Sequence, residues 1–318
     1  MQALSTDVTT ASPVFVLGGM NMDIIAATAQ TLLAGDSNPG RVHCAPGGVA
    51  RNVAENLSRL GHAVALVSAV GTDAFGDSLV QATLAAGVRV GQVGRMPDQR
   101  TATYLSVQGP DGDMAVAVND MEILETLSPA YLSPLRVTLG AAPCVVLDAN
   151  LRGDTLMWLL TEVKPPYCFV DAVSVAKCGR LARCLAGIHL LKVNRMEAQA
   201  LTGIAVTDAD SAMRAAHALH TAGVHSVVVS MGHDGVAYCS AEGLTGHCAA
   251  GKVAVVSASG AGDALLAGLV HGHLTCMAFE QAIAFAMQCA EMTLTSPDAN
   301  HHLMSVAAIA GRNFQNKY

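Results

Sequence analysis

Short apolar runs rich in Val, Ile and Leu recur along the chain, separated by longer stretches whose apolar positions return at helical spacing. The short runs are PVFVLGG from Pro13, VALVSAV from Val64, PCVVLDA from Pro143, YCFVDA from Tyr167, IHLLKV from Ile188 and HSVVVS from His225. The longer stretches include GVARNVAENLSRLG from Gly48, FGDSLVQATLAAG from Phe75, EAQALTG from Glu197 and DADSAMRAAHALHTAG from Asp208. Several of them end in a glycine suited to close a helix. A strand that is apolar throughout is buried on both faces, so this alternation predicts an α/β fold: a mainly parallel sheet with helices on each side, three layers in all.

Two segments break the rhythm. Residues 24–46 are polar and turn-rich, with GDSNPG at their centre, and residues 101–118 read as two strands around a Gly-Pro-Asp-Gly turn. Neither carries a helix. A small antiparallel flap built from about 24–46 and 101–120 is expected to sit on the α/β body as a lid. Residues 1–12 read as a flexible tail and 13–318 as a single domain, with no internal repeat or low-complexity linker.

Composition narrows the function. The chain has 318 residues, 52% hydrophobic and 14% charged, which suits a packed globular protein and not a disordered one. Its apolar runs fall short of the roughly 18–20 residues a bilayer span needs. No basic residue precedes the first apolar run, unlike a secretory signal, so a cytoplasmic protein is expected. The net charge of −7, without a basic cluster, gives no nucleic-acid footprint. Nine scattered cysteines without C-x-x-C spacing fit reduced thiols better than disulfides or a zinc site. The twelve histidines lack an H-E-x-x-H pattern, and His271, His273, His301 and His302 read as incidental. An acidic protein of this kind binds small anions through local backbone donors.

The candidate for such a site is VSASGAGDALLAGL, residues 256–269. Two other glycine plans fail. The dinucleotide fingerprint is missing from GGMNMD after the first strand, and GAGDALLAG has Leu265 at the third glycine position. GTDAFGDS has the glycine spacing of a P-loop but Asp77 in place of its lysine. Gly260, Ala261 and Gly262 would instead expose backbone N–H groups at the first turn of a helix, an anion site. A carboxylate beside an anion site makes sense if the two act on different partners: the turn holds a transferring phosphate and Asp263 takes a proton from the attacking hydroxyl. Taken alone, the motif also reads as a helix start with glycines for chain reversal and an aspartate cap.

Four motifs in order resemble the ribokinase-like (PfkB) family of sugar and nucleoside kinases over about residues 13–311: NMD ending at Asp23, APGGVARNVAENLSRLG from Ala45, NRME from Asn194 to Glu197, and GAGD. The resemblance implies a ribokinase-like fold with Asp263 as catalytic base and the backbone of Gly260, Ala261 and Gly262 as anion hole. It places Asp23, Gly47, Gly48 and Asn52 on the sugar. Asn194, Ser230, Gly232 and Gly235 would serve ATP, and Glu197 would organise Mg²⁺ through water. The adenine pocket is expected between residues 247–256 and the helix around Gln281–Cys289. The stretches DSNPGRVHCAPGGVARNVAENLSRLG, YLSVQGPDGDMAVAVNDMEI, VDAVSVAKCGRL and VNRMEAQALTGI are most similar to members that phosphorylate the 5′-hydroxyl of pseudouridine, a C-linked isomer of uridine. Asn119, Asp120 and Lys177 fall in them and are candidate base contacts, although a surface lysine and a strand-ending turn fit these positions equally.

There are departures. Ser259 stands where relatives carry Thr, Val193 where they carry Pro, and His233 where they carry Gly; Ser257 replaces an Asp or Asn of the monovalent-cation loop and leaves K⁺ activation open. The resemblance further implies a homodimer through the lid edges. Two rivals remain: the same chemistry on ribose or uridine, and a ligand-sensing protein without catalysis.

Overall fold

Six strands expected from the apolar runs line up side by side in one sheet. The computed structural model describes residues 12–315, with side chains to Gly311; the expected tail, but for Ser12, lies outside the described residues. In chain order the strands are β1 (Val14–Leu17), β2 (Asn21–Thr28), β3 (Gly40–Gly47), β4 (Val64–Gly71), β5 (Arg89–Met96), β6 (Thr103–Gln108), β7 (Met114–Asp120), β8 (Val145–Asp148), β9 (Cys168–Asp171), β10 (Leu190–Asn194), β11 (Ser226–Ser230), β12 (Val236–Cys239) and β13 (Thr245–Cys248). The described helices of eight residues or more are α1 (Val49–Arg59), α2 (Ala74–Ala85), α3 (Arg195–Thr202), α4 (Ala209–Thr221), α5 (Ala261–Leu274), α6 (Phe279–Leu294) and α7 (Val306–Gln315).

The large sheet has the order β13-β12-β11-β10-β9-β8-β1-β4-β5. Every pair from β11 to β5 is parallel, and β12 and β13 close one edge as antiparallel strands. Alternate residues of one strand feed two separate cores: Phe15 and Leu17 pack with α3, α4 and Trp158, whereas Val14 and Val16 pack with α1, α5 and α6. That division is the three-layer arrangement the apolar runs implied. The strands the pattern did not signal lie at the edges. Arg89–Met96 mixes Gly, Arg and Gln with half-exposed positions, so β5 shows no apolar run.

Both segments without helices join a second sheet of order β3-β2-β6-β7. Its outer pairs are antiparallel, and β2 and β6 run parallel where the two segments meet. One rung carries Asp23, Tyr104 and Asn119. The neighbouring rung, pointing the other way, carries Ile24, Leu105 and Val118. The second face is apolar and open: Val42, Val116 and Val118 are 68%, 53% and 60% exposed.

β4 and β8 leave β1 on opposite sides, and a crevice opens beyond the carboxyl ends of such strands. Asp148 ends β8 there, buried at 1% exposure. Its Oδ2 accepts from the Gly19 amide at 2.8 Å and the Ala50 amide at 2.9 Å, and its Oδ1 from the Asn150 amide at 2.9 Å. Burial pushes its carboxyl up to about 6, with Gly19 and Asn150 pulling the other way and nearby Asp171 adding to the rise. Asp148→Ala would orphan three amides, each costing about 1–3 kcal/mol when buried unpaired. We expect urea unfolding to show a loss of at least about 3 kcal/mol; a change below about 1 kcal/mol would mean that water replaces the carboxylate.

Candidate active site

The carboxyl ends of β8, β9, β10 and β11 stand in register. Asp148 is level with Asp171, Asp171 with Lys192, and Asn194 with Ser230. Asp171 and Lys192 are buried and paired, Nζ to Oδ2, at 2.9 Å. The GAGD turn lies directly over this pair, since a side chain on Gly262 would begin 2.7 Å from Lys192 Nζ.

Helix α5 starts at this point because Gly260 takes the left-handed conformation, φ 75°, as its N-cap. A Cβ at Gly260 would collide with the Ala299 carbonyl, so close approach and backbone sign both demand glycine. No side chain caps the helix, which leaves its first-turn amides without a side-chain partner. Asp263 follows in that first turn, 8% exposed, with Oδ2 accepting from Asn52 Nδ2 at 2.8 Å. Burial pushes its carboxyl up to about 7, and Asp171 and Asp148 add to the rise; the Asn52 hydrogen bond and the Lys192 charge oppose it. Burial pulls the Lys192 ammonium down, but Asp171, Glu197 and Asp263 outweigh burial and hold it above its ordinary value. The result is a lysine that stays charged beside a carboxylate able to gain and lose a proton near neutrality.

On one side of Asp263 lie the residues expected to meet a sugar. Asp23 projects from β2 with Oδ1 accepting from Asn21 Nδ2 at 2.6 Å. Burial raises its pKa against that bond and the Arg51 charge. A side chain on Gly47 would strike the Asp23 carboxylate, and one on Gly48, φ 103°, would start 2.5 Å from the Gly19 carbonyl oxygen. The paired glycines thus let two protein segments close on each other next to Asp23. Asn119 shares the Asp23 rung, whereas Asp120 turns to the opposite face and pairs with Arg100 at 3.2 Å. Lys177 is half-buried and donates to Asn150 Oδ1; burial lowers its pKa, while Asp148 pulls it back up.

On the other side is a cavity of about 660 Å³. Ala261 and Gly262 line it, together with Ser230, Gly232 and Gly235 and with Met287, Glu291 and Leu294 of α6. Its floor includes Ala250, Gly251 and Val253, within the expected 247–256. On the helix side Met287 falls within the expected Gln281–Cys289, and Ala290, Glu291 and Leu294 lie beyond it. His233 lines the cavity with its ring 91% exposed, pointing outward.

Asn194 and Glu197 form a capping box at the start of α3. Asn194 Oδ1 accepts from the Glu197 amide at 2.9 Å, while the two Glu197 oxygens accept from the Asn194 amide at 2.8 Å and its Nδ2 at 2.6 Å. Glu197 is 1% exposed, and among the described residues no set of three His, Cys, Asp or Glu side chains surrounds a metal. A metal arriving with nucleotide phosphates and reached through water fits these residues; one held by protein ligands alone does not.

The chain belongs to the pfkB family of carbohydrate kinases, whose model matches residues 12–305. It is a phosphotransferase acting on an alcohol hydroxyl. It is 37% identical to the pseudouridine kinase of Escherichia coli K12 over 296 residues, covering 93% of this chain and 95% of that one. It is 36% identical to YeiI, an uncharacterized sugar kinase of the same strain, covering 91% of this chain and 80% of that one. A solved carbohydrate kinase from Agrobacterium tumefaciens superposes with a TM-score of 0.81 at 28% identity, covering 94% and 95% of the two chains.

Sequence reasoning passed over Asp148, Asn150, Asp171, Lys192 and Arg51. A signal existed for three of them: Asp148 and Asp171 end apolar runs, and Lys192 is a lone charge inside one. Charges at the ends of parallel strands face the crevice of such a sheet. Asn150 and Arg51 carry no such mark.

Were Asp263 to act as a base it would have to be deprotonated, and kcat/KM would fall about tenfold per pH unit below about 7 and level off above it. Asp263→Asn should lose at least about 10²-fold in rate. Between the ordinary carboxyl value of 3.8 and about 7 the folded protein binds the extra proton, so this group's contribution to stability falls as pH rises. The Asn variant should therefore melt higher than the parent, by more at pH 8 than at pH 5. Equal melting at both pH values would show that Asp263 is not held protonated by burial.

Proposed function

We propose that the protein transfers the γ-phosphoryl group of ATP to the 5′-hydroxyl of pseudouridine, forming pseudouridine 5′-phosphate and ADP. The observation that carries this reading is the position of Asp263: buried, ionisable near neutrality, hydrogen-bonded to Asn52 and set in the first turn of α5, whose Ala261 and Gly262 line the 660 Å³ cavity. In the reaction the acceptor oxygen gives its proton to Asp263 as it bonds to phosphorus, and the bond from phosphorus to the β-γ bridging oxygen breaks. The amides of Gly260, Ala261 and Gly262 take up the charge on the transferring group. Asp23 accepts from the sugar hydroxyls, with Gly47 and Gly48 closing the backbone behind it. Ser230, Gly232 and Gly235 seat the nucleotide. Glu197 and Asn194 would hold Mg²⁺ through water, and the metal when bound neutralises phosphate charge.

The uracil ring of pseudouridine shows two N–H donors and two carbonyl acceptors, so its reader needs both kinds of group. Lys177, tethered by Asn150, supplies a donor, and Asn119, on the Asp23 rung, supplies either. Asp120, turned away and paired with Arg100, falls outside this contact. The identity to a pseudouridine kinase supports this substrate, and the near-equal identity to YeiI favours a second reading, the same transfer to another sugar or nucleoside such as ribose or uridine. A non-catalytic sensor would not need the anion turn and Asp263 that this chain keeps.

We place the enzyme in the cytoplasm, where its nine unpaired cysteines would stay reduced and ATP is available. The four-stranded sheet acts as the lid. It turns its polar rung to the acceptor to exclude water, and its apolar rung, with Val116 and Val118 open, to a second copy of the chain.

ADP release should be measured with ATP and Mg²⁺, with and without K⁺, supplying pseudouridine, uridine, ribose or no acceptor. Pseudouridine should give the highest kcat/KM, by at least about tenfold over uridine, one well-placed polar contact being worth that much. Preference for ribose or uridine would move the assignment to the second reading, and ligand binding without turnover would move it to a sensor. Light scattering should give twice the chain mass for the parent, and Val116→Lys with Val118→Glu should give a single chain; a monomeric parent would remove the lid pairing.

A further inference from the structure

Arg51, in α1 just before Asn52, is only 5% exposed. A charged side chain is not buried to that depth without partners, and those of Arg51 join the two halves of the transfer site. Nη2 pairs with Glu55 one turn along the helix. Nη1 donates to the Pro46 carbonyl at 3.3 Å, to Asn52 Oδ1 at 3.1 Å and to Asn300 Oδ1 at 2.9 Å. Asn300 returns a bond from Nδ2 to the Asn52 carbonyl at 2.9 Å. The carbonyl just before Asn300, that of Ala299, occupies the space that a side chain at Gly260 would need.

The two ends of an asparagine amide are nearly alike in shape, and a guanidinium can only donate. Arg51 therefore draws the oxygen of Asn52 to itself and leaves the NH₂ group to face Asp263 Oδ2, 2.8 Å away. A flipped amide would set oxygen against carboxylate and leave the guanidinium facing a donor. We infer that Arg51 is a positioning residue for phosphoryl transfer: it holds the Asn52 amide in the one orientation that donates to Asp263, and holds the Ala299–Asn300 segment against the Gly260 turn. The inference rests on Asp263 being the base.

The test is the pH dependence of kcat, with ATP and pseudouridine, or ribose where pseudouridine does not turn over. It compares the parent, Arg51→Met, Asn52→Ala, the double variant and Asn300→Ala, with melting temperatures alongside. Arg51→Met keeps an unbranched stem, and Glu55 retains Arg59, whose Nε and Nη2 lie 2.8 and 2.6 Å from Oε1. Asp171, Lys192 and Asp148, the charged groups acting on Asp263, are untouched. Without a fixed donor the carboxylate holds its proton more tightly, so the acidic limb should move up by about one pH unit and kcat at pH 7 should fall about fivefold. Asn300→Ala should move it the same way by less. In the Asn52→Ala background Arg51→Met should add no further shift, because the path runs through that amide.

An unmoved limb in Arg51→Met, or an equal loss in both backgrounds, would make Arg51 a packing residue and overturn the inference. Should Arg51→Met not fold, an unmoved limb in Asn300→Ala and Asn52→Ala overturns it equally. Asp263→Asn separates the two levels: near-parental turnover sinks the base itself, whereas an inactive Asn variant beside an unmoved Arg51→Met limb sinks only the positioning role.

Discussion

Three amides from separate parts of the chain converge on the carboxylate of Asp148, and the working geometry hangs on that convergence. Gly19 is where β1 gives way to β2 of the small sheet, and Ala50 is where β3 has just returned to the body as α1. One oxygen thus holds both roots of the lid against the end of β8. The other oxygen holds the amide of Asn150, whose side chain tethers Lys177. A carboxylate can take several N–H bonds at once, which suits it to a junction of strand ends better than any neutral side chain. Since β1 and β8 are where the strand order reverses, the lid, the acceptor side and the crevice all meet at this atom group.

Beneath the GAGD turn the charges are out of balance by design of the fold. Asp171 and Asp263 lie within reach of the buried Lys192, while Asp148 adds its own negative charge near Asp263. Lys192 is hydrogen-bonded to Asp171, so Asp263 has the Asn52 amide as its direct partner and only long-range help from the lysine. That is how one of three similar aspartates comes to titrate near neutral pH while Asp171 serves as a counter-ion. Stability is given up for this, as is common where a site needs a strained charge.

The lid sheet divides its chemistry by the pleat. Successive residues of a strand point to opposite faces, so a single rung step separates Asp23, Tyr104 and Asn119 from Ile24, Leu105 and Val118. The same step separates adjacent Asn119 and Asp120. The sheet therefore has one polar face and one apolar face, the latter exposed at Val42, Val116 and Val118.

The α/β class and six central strands were readable because continuous apolar runs have few alternatives to a parallel sheet buried on both faces. The GAGD turn, Asp23 and the Asn194–Glu197 pair were readable as motifs because their spacing is local: a helix start, a strand end and a capping box each lie within a few residues. The edge strands β5 and β13 were not, since an edge needs no run of apolar residues to stay paired, and neither was β12, which is only four residues long. Lys192 and the aspartates Asp148 and Asp171 left only a faint mark, as charges placed in or at the end of apolar runs. Arg51 left none, since in the sequence it is one more arginine on a helix face. Local order along the chain determined which groups exist and which element carries each. Tertiary structure alone decided which carboxylate meets Asn52, which meets Lys192 and which grips the lid. Two of those choices rest on contacts 129 and 211 positions apart and the third on a pair 21 apart in neighbouring strands, and no local pattern encodes them.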